Sequence, residues 1–412
     1  MNISKYVKVD RIFLRNILVT IFIGGLVSFL NYLFNIYIAR NLQSNDFGLY
    51  TAALGIIYLV QIPAVAIQTA ITKKVAQKRN FNLSKFKIQS TLQLSILAVI
   101  LSVLFIIFGD TISSFINIPE KYILPLALAL FGSVISPIPK GFLLGLEKIV
   151  PLNIILLFET ILKFIIGYIA VSRGLDITLP ILANVIPAMI TLIIVLPFVN
   201  TKSIQIPKEK ISLEYRDMSL LFITFLLLNM PFTLDLILVN PEVRPAYGAL
   251  SLIGKIVFFA STMIASVMIS KLANQEDKLR SKTISISLIV ATLTGLGISA
   301  IYFLFTDSIV NIVFQGMYTE ISPYIAVYGV AMTIYSVSYL VVNSLLIKNS
   351  YIHIIFLGIL TALQYILYQL HNDSLEDAFN NQLIIFGVLF LFILIVLNYY
   401  IFRKNERDKE KV

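Results

Sequence analysis

Cysteine is absent from the 412 residues, which excludes disulfides, thiolate metal ligands and thiol catalysis. Histidine occurs only at His353 and His371, with no second ligand at metal spacing, so no histidine metal centre is expected. Charge is scarce as well: 13% of residues are Asp, Glu, Lys or Arg, against 58% hydrophobic residues and a mean hydropathy of +0.89. A soluble domain carries about 25% charged residues, so lipid is the main solvent of this chain. No Gly-rich phosphate loop followed by Lys-Ser or Lys-Thr exists, which removes ATP hydrolysis from the expected chemistry. Tryptophan is missing too, leaving the 20 Tyr to supply the interfacial belts.

What the chain does contain is a succession of apolar stretches. They fall near residues 17–39, 48–71, 88–108, 122–146, 151–171, 177–199, 218–240, 247–270, 283–305, 322–347, 351–370 and 382–402. Each is long enough to cross a hydrocarbon layer about 30 Å thick, and each should be an α-helix, because an open strand leaves its backbone unsatisfied there. The basic N-terminal segment with Lys5, Lys8, Arg11 and Arg15 imitates the start of a signal peptide. The apolar stretch behind it outruns a signal core and no small-residue cleavage site closes it, so it is expected to stay as the first membrane helix.

The positive charge is sorted by side. With the N-terminus in the cytoplasm, 26 of the 32 Lys and Arg fall in cytoplasmic segments and four, Arg40, Lys121, Arg173 and Arg244, on the other side. That bias predicts a multi-pass protein of the cytoplasmic membrane with both termini inside. The net charge of +10 therefore belongs to the inner membrane surface and its lipids, and no nucleic acid is expected as a partner. The charged stretch 201–217, which contains Pro207, separates six spans from six. We expect an all-α integral membrane protein: an N-terminal six-helix lobe over 1–200, a cytoplasmic linker over 201–217 and a C-terminal lobe over 218–412. Because six is even, both lobes share one topology and their pseudo-two-fold axis should run along the membrane normal. Phe47, Gly48, Thr51 and Ile56 face Tyr247, Gly248, Ser251 and Ile256 at an offset of 200, as duplication would give.

Around the first two spans the run NYLFNIYIARNLQSNDFGLYTAALGI, Asn31 to Ile56, resembles the start of polysaccharide repeat-unit (O-antigen type) flippases. These belong to the multidrug/oligosaccharidyl-lipid/polysaccharide (MOP) exporter superfamily. The features are Ala39-Arg40 closing the first span and Phe47-Gly48-Leu49-Tyr50 opening the second, echoed by LDLILVN, Leu234 to Asn240, and Ala246-Tyr247-Gly248. The order Tyr-Gly here departs from the commoner Gly followed by Tyr. The resemblance implies a MATE-like fold of twelve helices and alternating-access flipping of an undecaprenyl-pyrophosphate-linked glycan, with H+ or Na+ as the coupling ion and no cofactor. It implies the lipid-linked glycan and polysaccharide-assembly proteins as partners. A pyrophosphate-sugar headgroup cannot cross hydrocarbon unaided, since each unpaired polar group costs several kcal/mol there. A vestibule between two lobes, lined by a few polar and cationic groups, would remove that cost.

The deep charges are few enough to weigh singly. Glu159 and Lys163 lie i,i+4 on the fifth span, acid first, and either neutralise one another or line a polar wall that meets phosphate or sugar. Asp235 and Lys255, on the seventh and eighth spans, differ in depth by about one Lys side chain and can pair across helices, as a gate, a substrate contact or a static tie. Asp235 is also a candidate acceptor for the coupling ion. Arg15, Arg40 and Lys140 near span ends read first as interfacial anchors, with the resemblance raising Arg15 and Arg40 as cavity residues. Lys140 follows Pro137 and Pro139, which break a helix as cavity-lining helices are often broken, and Pro231 stands four residues before Asp235. A MATE-type cation-coupled multidrug antiporter is the nearest alternative, because the four deep charges cancel. A membrane glycan polymerase or ligase is disfavoured, since the outer segments are short and only HNDSLEDAFNNQ, 371–382, clusters acidic groups.

Overall fold

The computed structural model describes residues 11–76, 83–198, 215–273, 277–347 and 352–409, and among them every regular element is helical. Hydrocarbon enforces this by leaving backbone groups no partner but their own helix. Ten helical stretches among the described residues are long and apolar enough to cross a membrane, from Phe22–Asn41 to Leu375–Ile395. Where twelve spans were expected, the seventh is the shorter apolar stretch Phe222–Leu238 and the eighth lies in the helix Arg244–Ala273.

The chain divides into two compact units. One unit comprises Met1–Leu42 and Ile56–Phe222; the other comprises Gln43–Gly55 and Ile223–Val412. The thirteen residues from Gln43 to Gly55 thus cluster with the second unit, and most of the anticipated linker lies outside the described residues.

The first unit holds α1 (Arg11–Asn41), the end of α2 (Ser44–Val60), α3 (Ile62–Ala76), α4 (Leu83–Ile107) and the short α5 (Gly109–Ile116). It continues through α6 (Ile123–Ile135), α7 (Pro137–Gly145), α8 (Ile149–Ser172), α9 (Thr178–Leu182) and α10 (Ile186–Phe198). Pro137 occupies the first turn of α7, where its missing N–H costs no helical bond, and so divides one apolar span into two helices. Its core joins Ile71 and Val75 of α3, Phe86 and Leu94 of α4, and Ile138 and Phe142 of α7. Lipid tails are as apolar as these side chains, so close packing rather than exclusion of water holds such helices together. On α8 the residues Ile154, Phe158, Ile161, Ile165 and Tyr168 are all exposed at helical spacing, which marks the face that meets acyl chains.

The second unit holds the start of α2, most of α11 (Tyr215–Leu238), α12 (Arg244–Ala273), α13 (Asp277–Phe314), α14 (Ser322–Ile347), α15 (Ile352–Leu370) and α16 (Leu375–Lys409). The two glycines related by the offset of 200 explain why Gln43–Gly55 packs here. A Cβ on Gly48 would stand 3.1 Å from Pro245 Cγ, and one on Gly248 would stand 3.1 Å from Thr51 Cβ. Each helix therefore approaches the other through its glycine, in the small-residue manner of membrane helices. Arg244 is buried and donates to the carbonyls of Ile237 and Val239, and Asn372 donates to that of Leu238. Together they satisfy the last turn of α11, which a helix end inside a protein requires.

Candidate functional site

Among the described residues, each unit carries buried polar side chains that bond to one another. In the first, α8 packs along α1, with Gly167 against the Phe34 ring, and turns Thr160 and Lys163 away from its lipid-facing stripe. Lys163 Nζ donates to Asn31 Oδ1 at 2.9 Å and sits 4.5 Å over the Phe34 ring. Asn31 in turn donates to Thr160 Oγ1 at 3.3 Å and to the Val27 carbonyl at 3.0 Å. Phe164, Tyr37 and Tyr168 extend this seam as an aromatic ladder with centroids 5.8 Å apart.

Glu159 does not pair with Lys163. Its Oε2 accepts from Lys140 Nζ at 2.7 Å and its Oε1 accepts from Thr191, so α7, α8 and α10 converge on this carboxylate. The expected i,i+4 pair fails because α7 brings a better-placed ammonium to the other side of Glu159. Lys140 is correspondingly not an interfacial anchor: both partners are 13% exposed. Lys163 is left with an amide and a ring and pairs with no carboxylate among the described residues. Arg40 lies in the last turn of α1 and is half-buried. Arg15 falls in the same helix at a position whose side chain lies outside the described residues.

In the second unit Asp235 of α11 and Lys255 of α12 meet, with Lys255 Nζ 3.7 Å from Asp235 Oδ1 and the two side chains 4% and 0% exposed. Asp235 Oδ2 accepts from the Tyr247 hydroxyl at 3.0 Å and the Tyr328 hydroxyl at 3.3 Å. Its Oδ1 accepts from the Leu236 amide at 2.9 Å. Tyr368 donates towards Tyr247 at 3.4 Å and to the Ala378 carbonyl at 3.1 Å, so hydroxyls link the N-terminal turn of α16 to the carboxylate. Lys255 lies 4.4 Å over the Phe232 ring, on whose other neighbour, Tyr335, the ring stacks at 5.4 Å.

Pro231 lies inside the continuous α11 one turn earlier, and polar side chains occupy the carbonyls around it. Gln382 and Gln364 both donate to the Pro231 carbonyl, and the Tyr335 hydroxyl donates to that of Leu228 at 3.0 Å. These tyrosines correct the expectation of interfacial belts: Tyr247, Tyr328, Tyr335 and Tyr368 are among the largest fully buried side chains. A signal existed, since Tyr328 and Tyr335 lie seven residues apart near the middle of an apolar span, where a belt residue does not belong. His353 is also buried, bonded to Thr224 Oγ1 at 3.2 Å, and no cluster of three metal-ligating side chains occurs among the described residues.

Among the described residues, ten apolar helices long enough to cross a membrane define the class of a multi-pass integral membrane protein, and the fold is that of solved transporters of the MOP superfamily. The comparison of folds supports it. The structure of the lipid II flippase MurJ in its inward closed conformation matches with a TM-score of 0.73 at 14% identity, over 93% of this chain and 87% of that one. An inward-facing multidrug resistance MATE family transporter of the MOP superfamily matches at 0.67 and 14%, over 90% and 95%. A MOP superfamily transporter from Pyrococcus furiosus matches at 0.61 and 14%, over 93% and 94%. No curated protein matches the sequence. The family model of polysaccharide biosynthesis proteins matches residues 13–241, and the chain belongs to that family.

Proposed function

We propose that the protein flips an undecaprenyl-pyrophosphate-linked oligosaccharide repeat unit across the cytoplasmic membrane, by alternating access, for surface-polysaccharide assembly. The observation that carries this reading is Lys163: an ammonium in a membrane helix, turned from the lipid stripe, bound to the neutral Asn31 and matched by no carboxylate among the described residues. A cation held that way has unused capacity for an anion, and a diphosphate is the anion that lipid-linked glycans carry. Asn31 and Thr160 beside it suit sugar hydroxyls, and the rings of Tyr37 and Phe164 suit the faces of sugar rings. Membership of the polysaccharide biosynthesis family points the same way.

The sorting of Lys and Arg supports a reading in which both termini lie in the cytoplasm. Transport rather than bond chemistry is the activity, with H+ or Na+ as the coupling ion, and polysaccharide-assembly proteins are the expected partners. The likeness to multidrug transporters keeps a cation antiporter as a second reading, but an organic cation would be repelled by Lys163. Deletion of the gene should leave lipid-linked repeat units on the inner leaflet, and re-expression should clear them. Unchanged lipid with altered dye efflux would favour the antiporter.

A further inference from the structure

Each unit breaks a long helix at one non-helical residue, and the sequence that follows the break is repeated. In the first unit α4 ends at Ile107, Phe108 takes φ −86° and ψ 13°, and α5 begins at Gly109. In the second, Phe305 takes φ −128° and ψ 27° inside α13, and the helix resumes as far as Phe314. FGDTI, Phe108 to Ile112, recurs as FTDSI, Phe305 to Ile309, at an offset of 197, and Ser114 and Phe115 face Asn311 and Ile312 at the same offset. With both termini in the cytoplasm, both breaks stand at the outer ends of their helices.

At about 3.6 residues per turn, each segment after the break has three sides. Phe108, Ile112 and Phe115 fall in one line, with Phe108 and Phe115 57% and 51% exposed. Phe305, Ile309 and Ile312 fall in the corresponding line, with Phe305 and Ile312 55% and 70% exposed. Asp110, Thr111 and Ser114 stand on a second side and are exposed as well, as are Asp307, Ser308 and Asn311. The third side is packed within the unit. A Cβ on the buried Gly109 would meet Ile123 Cγ2 at 3.0 Å, and the buried Phe314 ring lies 5.5 Å from that of Tyr318.

Length decides how such segments lie. The 25 residues of α4 extend about 37 Å, already more than a hydrocarbon layer of about 30 Å, and the 32 residues of Thr283–Phe314 would extend about 48 Å if straight. A straight continuation would carry each apolar line out into water. Each line also continues an exposed apolar face of the span before it, Val103, Leu104 and Ile107 on α4 and Ile301, Phe303 and Leu304 on α13. A turn at the break keeps the apolar line in lipid and the carboxylate in water, as in an interfacial amphipathic helix.

We infer that α5 and residues 306–314 of α13 lie along the outer surface of the membrane, with Phe108, Ile112 and Phe115, and Phe305, Ile309 and Ile312, sunk among outer-leaflet acyl chains. Asp110 and Asp307 then stand among the headgroups and water. The partner of both apolar faces is the lipid of that leaflet, which ties each unit to the membrane at one depth. The word outer rests on the placement of the termini given under Proposed function; the in-plane course does not.

The chain has neither Cys nor Trp, so single probes can be placed in the full-length protein in vesicles of phosphatidylethanolamine and phosphatidylglycerol. Nitroxides on Phe108→Cys and Phe115→Cys, read by collision with oxygen and with an aqueous nickel chelate, should report one depth, about 5–10 Å below the headgroups. Phe305→Cys and Ile312→Cys should do the same. A helix continuing along its span would separate the members of each pair by about 10 Å. Ser114→Cys and Asn311→Cys should favour the chelate. Phe115→Trp and Ile312→Trp, quenched more by lipids brominated near the headgroup than at the chain end, read the depth without a label. A separation near 10 Å in either pair, or probes at Phe115 or Ile312 that meet chelate rather than oxygen, would overturn the inference. A membrane-impermeant thiol reagent added to spheroplasts should reach Ser114→Cys and Asn311→Cys; reaction only in inverted vesicles refutes the placement of the termini and leaves the in-plane course standing.

Discussion

A double-mutant cycle on Asp235 and Lys255 tests whether their contact is an ion pair or ordinary helix-helix glue. In Lys255→Met the carboxylate keeps the Tyr247 and Tyr328 hydroxyls and the Leu236 amide, so it loses one donor of four. Breaking a buried pair costs about 3–5 kcal/mol, and this variant belongs at the lower end. In Asp235→Asn the ammonium keeps the Phe232 ring, a contact of about 2 kcal/mol when desolvated, but loses its counter-charge, which places the cost near the upper end. The double variant removes both charges and should unfold within about 1 kcal/mol of wild type. Coupling should therefore exceed about 3 kcal/mol, whereas a neutral hydrogen bond between membrane helices contributes about 0.6 kcal/mol. Reversible unfolding in mixed micelles, followed by helical circular dichroism, measures all four proteins. Additive single costs, or a coupling near the value for a neutral bond, would refute the ion pair.

The other expectations concern packing and the first unit. Gly248→Leu should separate α12 from the start of α2 and lower stability by about 1–3 kcal/mol, read by the same unfolding assay, while Gly297→Leu, with open space around its Cβ, should not. Glu159→Gln leaves the buried Lys140 without its counter-charge and should destabilise the first unit by about 3 kcal/mol or more; Lys140→Met with Glu159→Gln should recover most of that. Tyr328→Phe removes one of two hydroxyls from Asp235 Oδ2 and should cost about 1 kcal/mol without loss of membrane insertion, checked by unfolding and by membrane fractionation.

The helical architecture was legible because hydrocarbon admits one solution for a continuous apolar stretch. A break was legible where proline marks it, at Pro137, whereas Pro231 leaves α11 continuous and the non-helical backbone at Phe305 inside α13 carries no such mark. Asp235 and Lys255 could be paired from depth alone, since two isolated charges on successive helices have few other partners. Glu159 and Lys163 misled for the converse reason: spacing along one helix describes only local neighbours, and Lys140 reaches Glu159 through the packing of α7 on α8. The unit boundary inside α2 was invisible to hydropathy, which does not register which neighbour a helix packs against. The buried tyrosines were hidden by composition, because a count of Tyr says nothing of depth.

The account stands on Lys163 as the group that meets the lipid-linked diphosphate. In a deletion strain, the fraction of lipid-linked repeat units reaching the outer leaflet should fall at least about tenfold with Lys163→Ala, recover substantially with Lys163→Arg, and leave protein levels in the membrane unchanged. Normal outer-leaflet glycan in Lys163→Ala, with the protein inserted and folded, would contradict it.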